Sequence, residues 1–196
     1  LAYADDVMIF LSTPSDLHRL QLHLGRYQSA SNAKLNPHKS QAISLSGNRQ
    51  PEWNTLLQQS GFPTCHDRTW LEPIIYLGYP LASSKSQLDD FLAKLLLSIK
   101  SLCNQHSLRH LSLRGRATIL NSLILSTTWH VLRLTGAPIK SFFRPLRSTM
   151  GSFLMNQMFP RISMEKMYQP LDCGGLGVLD PELQQGALQL RWLEPL

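Results

Sequence analysis

Apolar residues change their spacing along this chain, and the changes mark its elements. Val7-Met8-Ile9-Phe10-Leu11 is an uninterrupted apolar run of strand length, and Leu1 to Tyr3 reads as the end of a partner strand. Thr13-Pro14-Ser15-Asp16 is a helix start, with Thr13 or Ser15 as cap and Pro14 in the first turn. Leu17, Leu20, Leu24 and Tyr27 follow at helical steps, so the spacing predicts a helix to about Ser31, ended by Asn32, with its apolar stripe packed on a sheet. Gln41 to Ser46 alternates polar and apolar, a strand closed by Gly47-Asn48. Residues 48–68 are polar, with a short helix from Trp53 to Gln59; Ile74 to Tyr79 is a further strand between Pro73 and Pro80.

From Ser86 onward the period is helical. Leu88, Phe91 or Leu92, Leu95, Ile99 and Leu102 mark one face. Leu113, Ala117, Leu120, Ile124, Thr127, Val131 and Leu134 mark a second helix. After Gly136 and Pro138 a third follows, with Ile139, Phe142, Leu146, Met150 and Phe153 in phase and Pro145 as a kink. Short connections make these three a small bundle. A last helix spans Pro181 to Leu193. The fold class is therefore α+β, strands and a helix first and helices afterwards, with a domain boundary near residues 81–86.

Charge sharpens this picture. The net charge of +6 is unevenly placed: residues 1–80 hold six basic and six acidic side chains, whereas residues 91–164 contain no Asp or Glu. That stretch carries Lys94, Lys100, Arg109, Arg114, Arg116, Arg133, Lys140, Arg144, Arg147 and Arg161. A field of one sign over such a length favours a polyanionic partner; the alternative is a solvated helical surface with a basic bias. No run of about 18 uncharged apolar residues reads as a membrane span. No charged region precedes an apolar stretch as in a secretory leader, so an intracellular setting is expected. Cys65, Cys103 and Cys173 are widely separated and show neither zinc-site spacing nor a disulfide framework, which fits thiols in a reducing compartment.

The candidate chemistry lies at Tyr3-Ala4-Asp5-Asp6, between the two apolar runs. Nucleotidyl transfer has a highly charged transition state that two Mg²⁺ ions, about 3.5–4 Å apart, can clamp. Mg²⁺ takes oxygen ligands, and adjacent carboxylates repel unless a cation sits between them. A turn joining two strands would present Asp5 and Asp6 at or beside a hairpin tip. The plainer alternative is a surface Asp-Asp turn.

Four further blocks follow in order: Ala33-Lys34-Leu35-Asn36-Pro37-His38-Lys39-Ser40; Ile75-Tyr76-Leu77-Gly78-Tyr79-Pro80-Leu81; Leu111-Ser112-Leu113-Arg114-Gly115-Arg116-Ala117 running into Asn121; and Pro170 with Gly174-Gly175-Leu176-Gly177-Val178, then Ala187-Leu188 and Arg191-Trp192. With the Tyr-Ala-Asp-Asp hairpin, this series resembles the reverse transcriptases of non-LTR (LINE-type) retrotransposons over nearly the whole chain. The first of the four departs from the family's Gly-Leu-x-Leu-Asn-x-x-Lys-Ser block, since Asn32 or Ala33 stands at its Gly.

The resemblance implies a partial polymerase palm (catalytic hairpin, helix and short antiparallel strands) over residues 1–82. A helical thumb follows over 83–160, and a post-thumb segment over 161–196. It implies that Asp5 and Asp6 are catalytic Mg²⁺ ligands and that Tyr3 lies near the incoming nucleotide. Lys39 would donate a proton to the leaving pyrophosphate or lie along the triphosphate; its plain alternative is a surface lysine after a turn. Tyr76, Leu77 and Gly78 would position the primer end. Arg114, Arg116 and Asn121 would contact an RNA template–DNA primer duplex, the two arginines otherwise being solvated. Gly174 to Gly177 lacks the Lys-Ser/Thr of a P-loop and reads as a tight turn rather than a nucleotide cradle. The family's fingers and the strand bearing its other essential Asp would precede residue 1, so the chain by itself is expected not to polymerise. Two alternatives stand beside this reading: a catalytically dead nucleic-acid-binding remnant, and a helical interaction module with no nucleic-acid role.

Overall fold

A computed structural model describes residues 2–3, 6–156, 158 and 162–193, and its chain divides into two compact units, Leu1–Ile74 and Ile75–Leu196. The division falls ahead of the expected boundary at 81–86, because residues 75–81 form a hairpin held by a helix of the second unit, described below.

In the first unit, β1 (Ala2–Tyr3) pairs antiparallel with β2 (Asp6–Val7), Tyr3 opposite Asp6. Helix α1 (Pro14–Ser31) begins at Thr13 and ends at Asn32, whose φ of 58° is the left-handed geometry that stops a helix. Asp16 fixes the start: its carboxylate accepts from the Thr13 N–H at 2.8 Å, the Thr13 hydroxyl at 2.9 Å and the Ser12 N–H at 3.1 Å. These bonds hold the Asp16 carboxyl below its ordinary range. Of the expected α1 stripe only Leu17 is buried, and Tyr27 is 61 % exposed.

Strand β3 (Ala42–Ile43) is shorter than its alternating pattern, and it pairs in parallel, not antiparallel, with β4 (Cys65–His66). A parallel pair needs a crossover, and helix α2 (Pro51–Gln59) supplies it. Asn54 of α2 accepts the Cys65 N–H at 2.8 Å. The core of this unit is small: Leu17, Leu57 and Cys65, with Leu11, Leu20, Trp53 and Phe62 against them.

The expected strand from Ile74 to Tyr79 is instead a hairpin of β5 (Ile74–Tyr76) and β6 (Tyr79–Leu81). Leu77 and Gly78, with φ of 50° and 82°, form its two-residue turn. Consecutive positive φ values match the twist of paired strands and reverse the chain.

Helices build the rest of the second unit: α3 (Lys85–Ser107), α4 (Leu113–Ile119) and α5 (Ser126–Leu132), the last two joined by a π-helical stretch (Leu120–Leu125). A second π-helical stretch (Ile139–Phe143) leads into α6 (Arg144–Leu154). Pro145 sits in the first turn of α6, so the expected kink takes the form of the π-helical stretch before it: in regular helix the proline ring would strike the carbonyl four residues back. Helix α7 (Met164–Tyr168), a 3₁₀ turn (Leu171–Cys173) and α8 (Pro181–Leu193) follow. Leu92, Ile99, Leu120, Ile124, Leu125, Leu132, Phe142, Phe143, Leu146, Met150 and Leu154 form the core.

The π-helical stretch changes which residues are inside. The 3.6-residue pattern put Thr127 and Leu134 on the buried face, but both are exposed: Leu134 lies in the turn beyond α5, and Leu125, Thr128 and Leu132 are buried beside Ile124 and Val131. A π turn adds one residue, so the inward stripe slips along the sequence. Among the described residues no helix is long and apolar enough to cross a membrane.

Candidate nucleic-acid interface

The Asp pair is described in part. Asp5 lies outside the described residues, and of Asp6 and Tyr3 the backbone pairing is given. Lys39 is exposed, in a turn where its N–H donates to the Asn36 carbonyl at 3.2 Å. Its block is thus a turn after α1. Among the described residues no three His, Cys, Asp or Glu side chains gather as a metal site; Asp5 is not among them.

The arginines that bracket Gly115 part company. Arg114 is exposed, whereas Arg116 is 5 % exposed, so neither expectation for Arg116, as a phosphate contact or a solvated side chain, fits its place. Its Nη1 donates to the Phe153 carbonyl at 3.0 Å, Nη2 to Asn156 Oδ1 at 2.9 Å, and Nε to the Leu111 carbonyl at 3.4 Å. Its guanidinium carbon lies 5.6 Å from the centre of the Phe153 ring. A planar fork with donors on all three nitrogens can tie three separate carbonyl-type oxygens, and here it ties the start of α4 to the end of α6.

Asn121 is likewise turned inward. Its Nδ2 donates to the Gly177 carbonyl at 2.9 Å, and its Oδ1 accepts the Leu179 N–H at 3.1 Å. The glycine-rich segment it holds is a tight turn: Gly175 N–H donates to Pro170 O and Gly177 N–H to Gln169 O, both at 2.9 Å. Arg147 is also engaged, with Nη2 3.0 Å from Asp180 and 2.8 Å from Glu182 at the start of α8. Lys94 pairs with Asp90 at 2.9 Å.

Subtracting these residues, and Arg161, which lies outside the described residues, leaves Lys100, Arg109, Arg114, Arg133, Lys140 and Arg144 as exposed cations of the basic stretch. They come from α3, α4, the ends of α3 and α5, the second π-helical stretch and α6. An array of long cationic side chains at a surface suits phosphate oxygens, the contacts that position a duplex.

The Tyr76-Leu77-Gly78 block stands at the hairpin turn. Leu77 and Gly78 are exposed and Tyr76 half-buried. The turn meets α5, where His130 Nε2 lies 2.9 Å from the Leu77 carbonyl and the His130 ring lies 4.1 Å from that of Tyr79. His130 escaped the sequence reading because a lone histidine on an amphipathic helix carries no motif. Gln185 and Gln189 escaped it too: from α8 they donate to the Leu132 and Thr135 carbonyls left open at the end of α5. The three thiols are free, with Cys65 and Cys103 buried and Cys173 exposed. Burial pushes the Cys103 thiol up to about 11.

No protein-family model matches the chain. It is similar to the "Transposon TX1 uncharacterized 149 kDa protein" of Xenopus laevis, 27 % identical over 202 residues, which covers 98 % of this chain and 14 % of that protein. The similarity supports a transposon-derived, LINE-like origin. The chain spans about one seventh of the length of that relative.

Proposed function

We propose that this chain is the C-terminal palm and thumb portion of a LINE-type reverse transcriptase, the part that carries one metal-binding carboxylate segment and much of the grip on the template–primer duplex. The observation that carries the reading is the strand pairing of Tyr3 with Asp6, which brackets Ala4-Asp5 in sequence, in a chain that aligns over 98 % of its length with one segment, 14 %, of a transposon protein. Asp5 and Asp6 supply the hard oxygen donors that Mg²⁺ takes, and the ion would stabilise charge on the reacting phosphate. Lys39 and Tyr3 serve the triphosphate and the incoming nucleotide. The exposed cations from Lys100 to Arg144 hold an RNA–DNA duplex by its phosphates, and Tyr76-Leu77-Gly78 approaches the primer end. Arg116 and Asn121 shape that surface from within rather than touching the nucleic acid.

Two assays test the reading. The full encoded polypeptide should extend a DNA primer on an RNA template with Mg²⁺, and Asp5→Ala should abolish extension. The 196-residue chain should bind an RNA–DNA hybrid with an affinity that falls linearly in log salt, releasing several ions. Salt-dependent binding without extension in the full polypeptide would leave a nucleic-acid-binding remnant. Absence of binding at low salt would overturn both and leave a helical interaction module.

A further inference from the structure

Three contacts converge on one side chain beside the Leu77-Gly78 turn. His130 Nε2 lies 2.9 Å from the Leu77 carbonyl. A carbonyl accepts only, so Nε2 is the donor. The His130 and Tyr79 rings are 4.1 Å apart, inclined at 39°. A Cβ at Gly78 would come within 2.9 Å of the same Nε2, so the turn's backbone lies against the imidazole, which would have to move to admit a side chain. The left-handed φ of 82° already disfavours any other residue there. Without these contacts a two-stranded hairpin with strands of three residues is marginal in water.

We propose that His130 is a positioning residue: it locks the Tyr76-Leu77-Gly78 turn onto α5 so that the turn meets a recessed DNA 3′ end at a fixed angle. The inference rests on the reverse-transcriptase reading, which supplies the ligand, and adds the residue that holds the turn. Leu77 is 39 % exposed beside a glycine peptide, a surface that a terminal sugar can approach closely. His130 itself acts through the turn and makes no demand on the duplex charge.

The test uses the 196-residue chain and two RNA–DNA hybrids of equal charge, one with a recessed DNA 3′ end and one blunt, with binding read by fluorescence anisotropy. The native protein should prefer the recessed end. His130→Ala should cut affinity for the recessed end about five- to tenfold, as loss of one well-placed hydrogen bond does, and leave the blunt hybrid and the salt slope unchanged. His130→Gln, whose amide can still donate to the Leu77 carbonyl, should restore the preference. Amide exchange at residues 77–79 should quicken in the alanine variant and not in the glutamine variant. Equal loss on both hybrids, no loss on either, or a glutamine variant as poor as alanine would overturn the proposal. If the native protein binds neither hybrid, the underlying reading has failed and this inference falls with it, a result distinct from all the others.

Discussion

Asn121 and Gly177 stand 56 residues apart in sequence, and the side-chain amide of the first is bonded to the backbone carbonyl of the second at 2.9 Å. The same amide oxygen receives the Leu179 N–H, so one side chain substitutes for a strand partner across three residues of an irregular segment. The helices of the second unit and the glycine-rich turn are thereby one packed object.

Asn121→Ala should therefore act on stability rather than on nucleic-acid contact. The part-buried Gly177 carbonyl and the exposed Leu179 N–H lose their partner, at about 1–2 kcal/mol. Urea unfolding should show the loss. Asn121→Asp, which keeps the acceptor and loses the donor, should fall between the two.

Arg116 and Arg114 should separate cleanly. Arg116→Ala strands three acceptors around the α4–α6 contact and should cost about 2–4 kcal/mol. Arg116→Lys should recover only part, since one ammonium cannot span the fork. Arg114→Ala should change stability by about 0.5 kcal/mol or less. It should instead lower the salt slope of hybrid binding by about one ion. Melting curves and a salt titration on the same three proteins check both statements.

Glycines should answer by position. A Cβ at Gly175 would overlap the Gln169 carbonyl oxygen, a backbone atom held in place by the Gly177 N–H. Gly175→Ala should destabilise by about 1–3 kcal/mol or more, as overpacking does. Gly25, inside α1, has nothing within 4 Å of an added Cβ. Gly25→Ala should stabilise by about 0.5–1 kcal/mol through the entropy it removes from the unfolded chain. Thermal denaturation of the two variants beside the native protein gives both signs.

The start of α1 should be sensitive to acid. Asp16 is held below 3.8 in the folded chain, chiefly by the backbone and side chain of Thr13. A lowered folded pKa means the contribution is fully present above 3.8 and is lost as pH falls through the still lower folded value. The stability difference between the native protein and Asp16→Ala should accordingly be constant near neutrality and close toward zero in that acid window. Urea midpoints measured across the window check it; a gap independent of pH would refute the capping account.

Local chemistry made much of this legible in advance. Thr13, Pro14, Asp16 and Asn32 mark the ends of α1 because each fixes backbone geometry or satisfies end groups within a turn of itself. The apolar face of α3 follows from 3.6-residue spacing alone, with Leu92 and Ile99 buried where the pattern put them. The absence of acidic residues from 91 to 164 is a property of the sequence and needs no fold. The spacing of residues 74–79 predicts one strand and not the hairpin at Leu77-Gly78, since Leu at a positive φ is not a turn signal; its bond to His130, 53 residues away, is what the spacing cannot display.

What the sequence determined by itself, then, is where helices start and stop, which faces are apolar, and where the charge lies, because these depend on neighbours within a few residues. Tertiary structure alone decided which cations face water. Arg114 and Arg116 are indistinguishable as letters, yet the partners that draw Arg116 inside, Phe153 and Asn156, lie 37 and 40 residues downstream. Tertiary structure also decided the phase of the second helical face, where a π turn moved burial from Thr127 to Thr128. Both outcomes come from long-range packing, which brings distant backbone groups to a side chain and which no local pattern encodes.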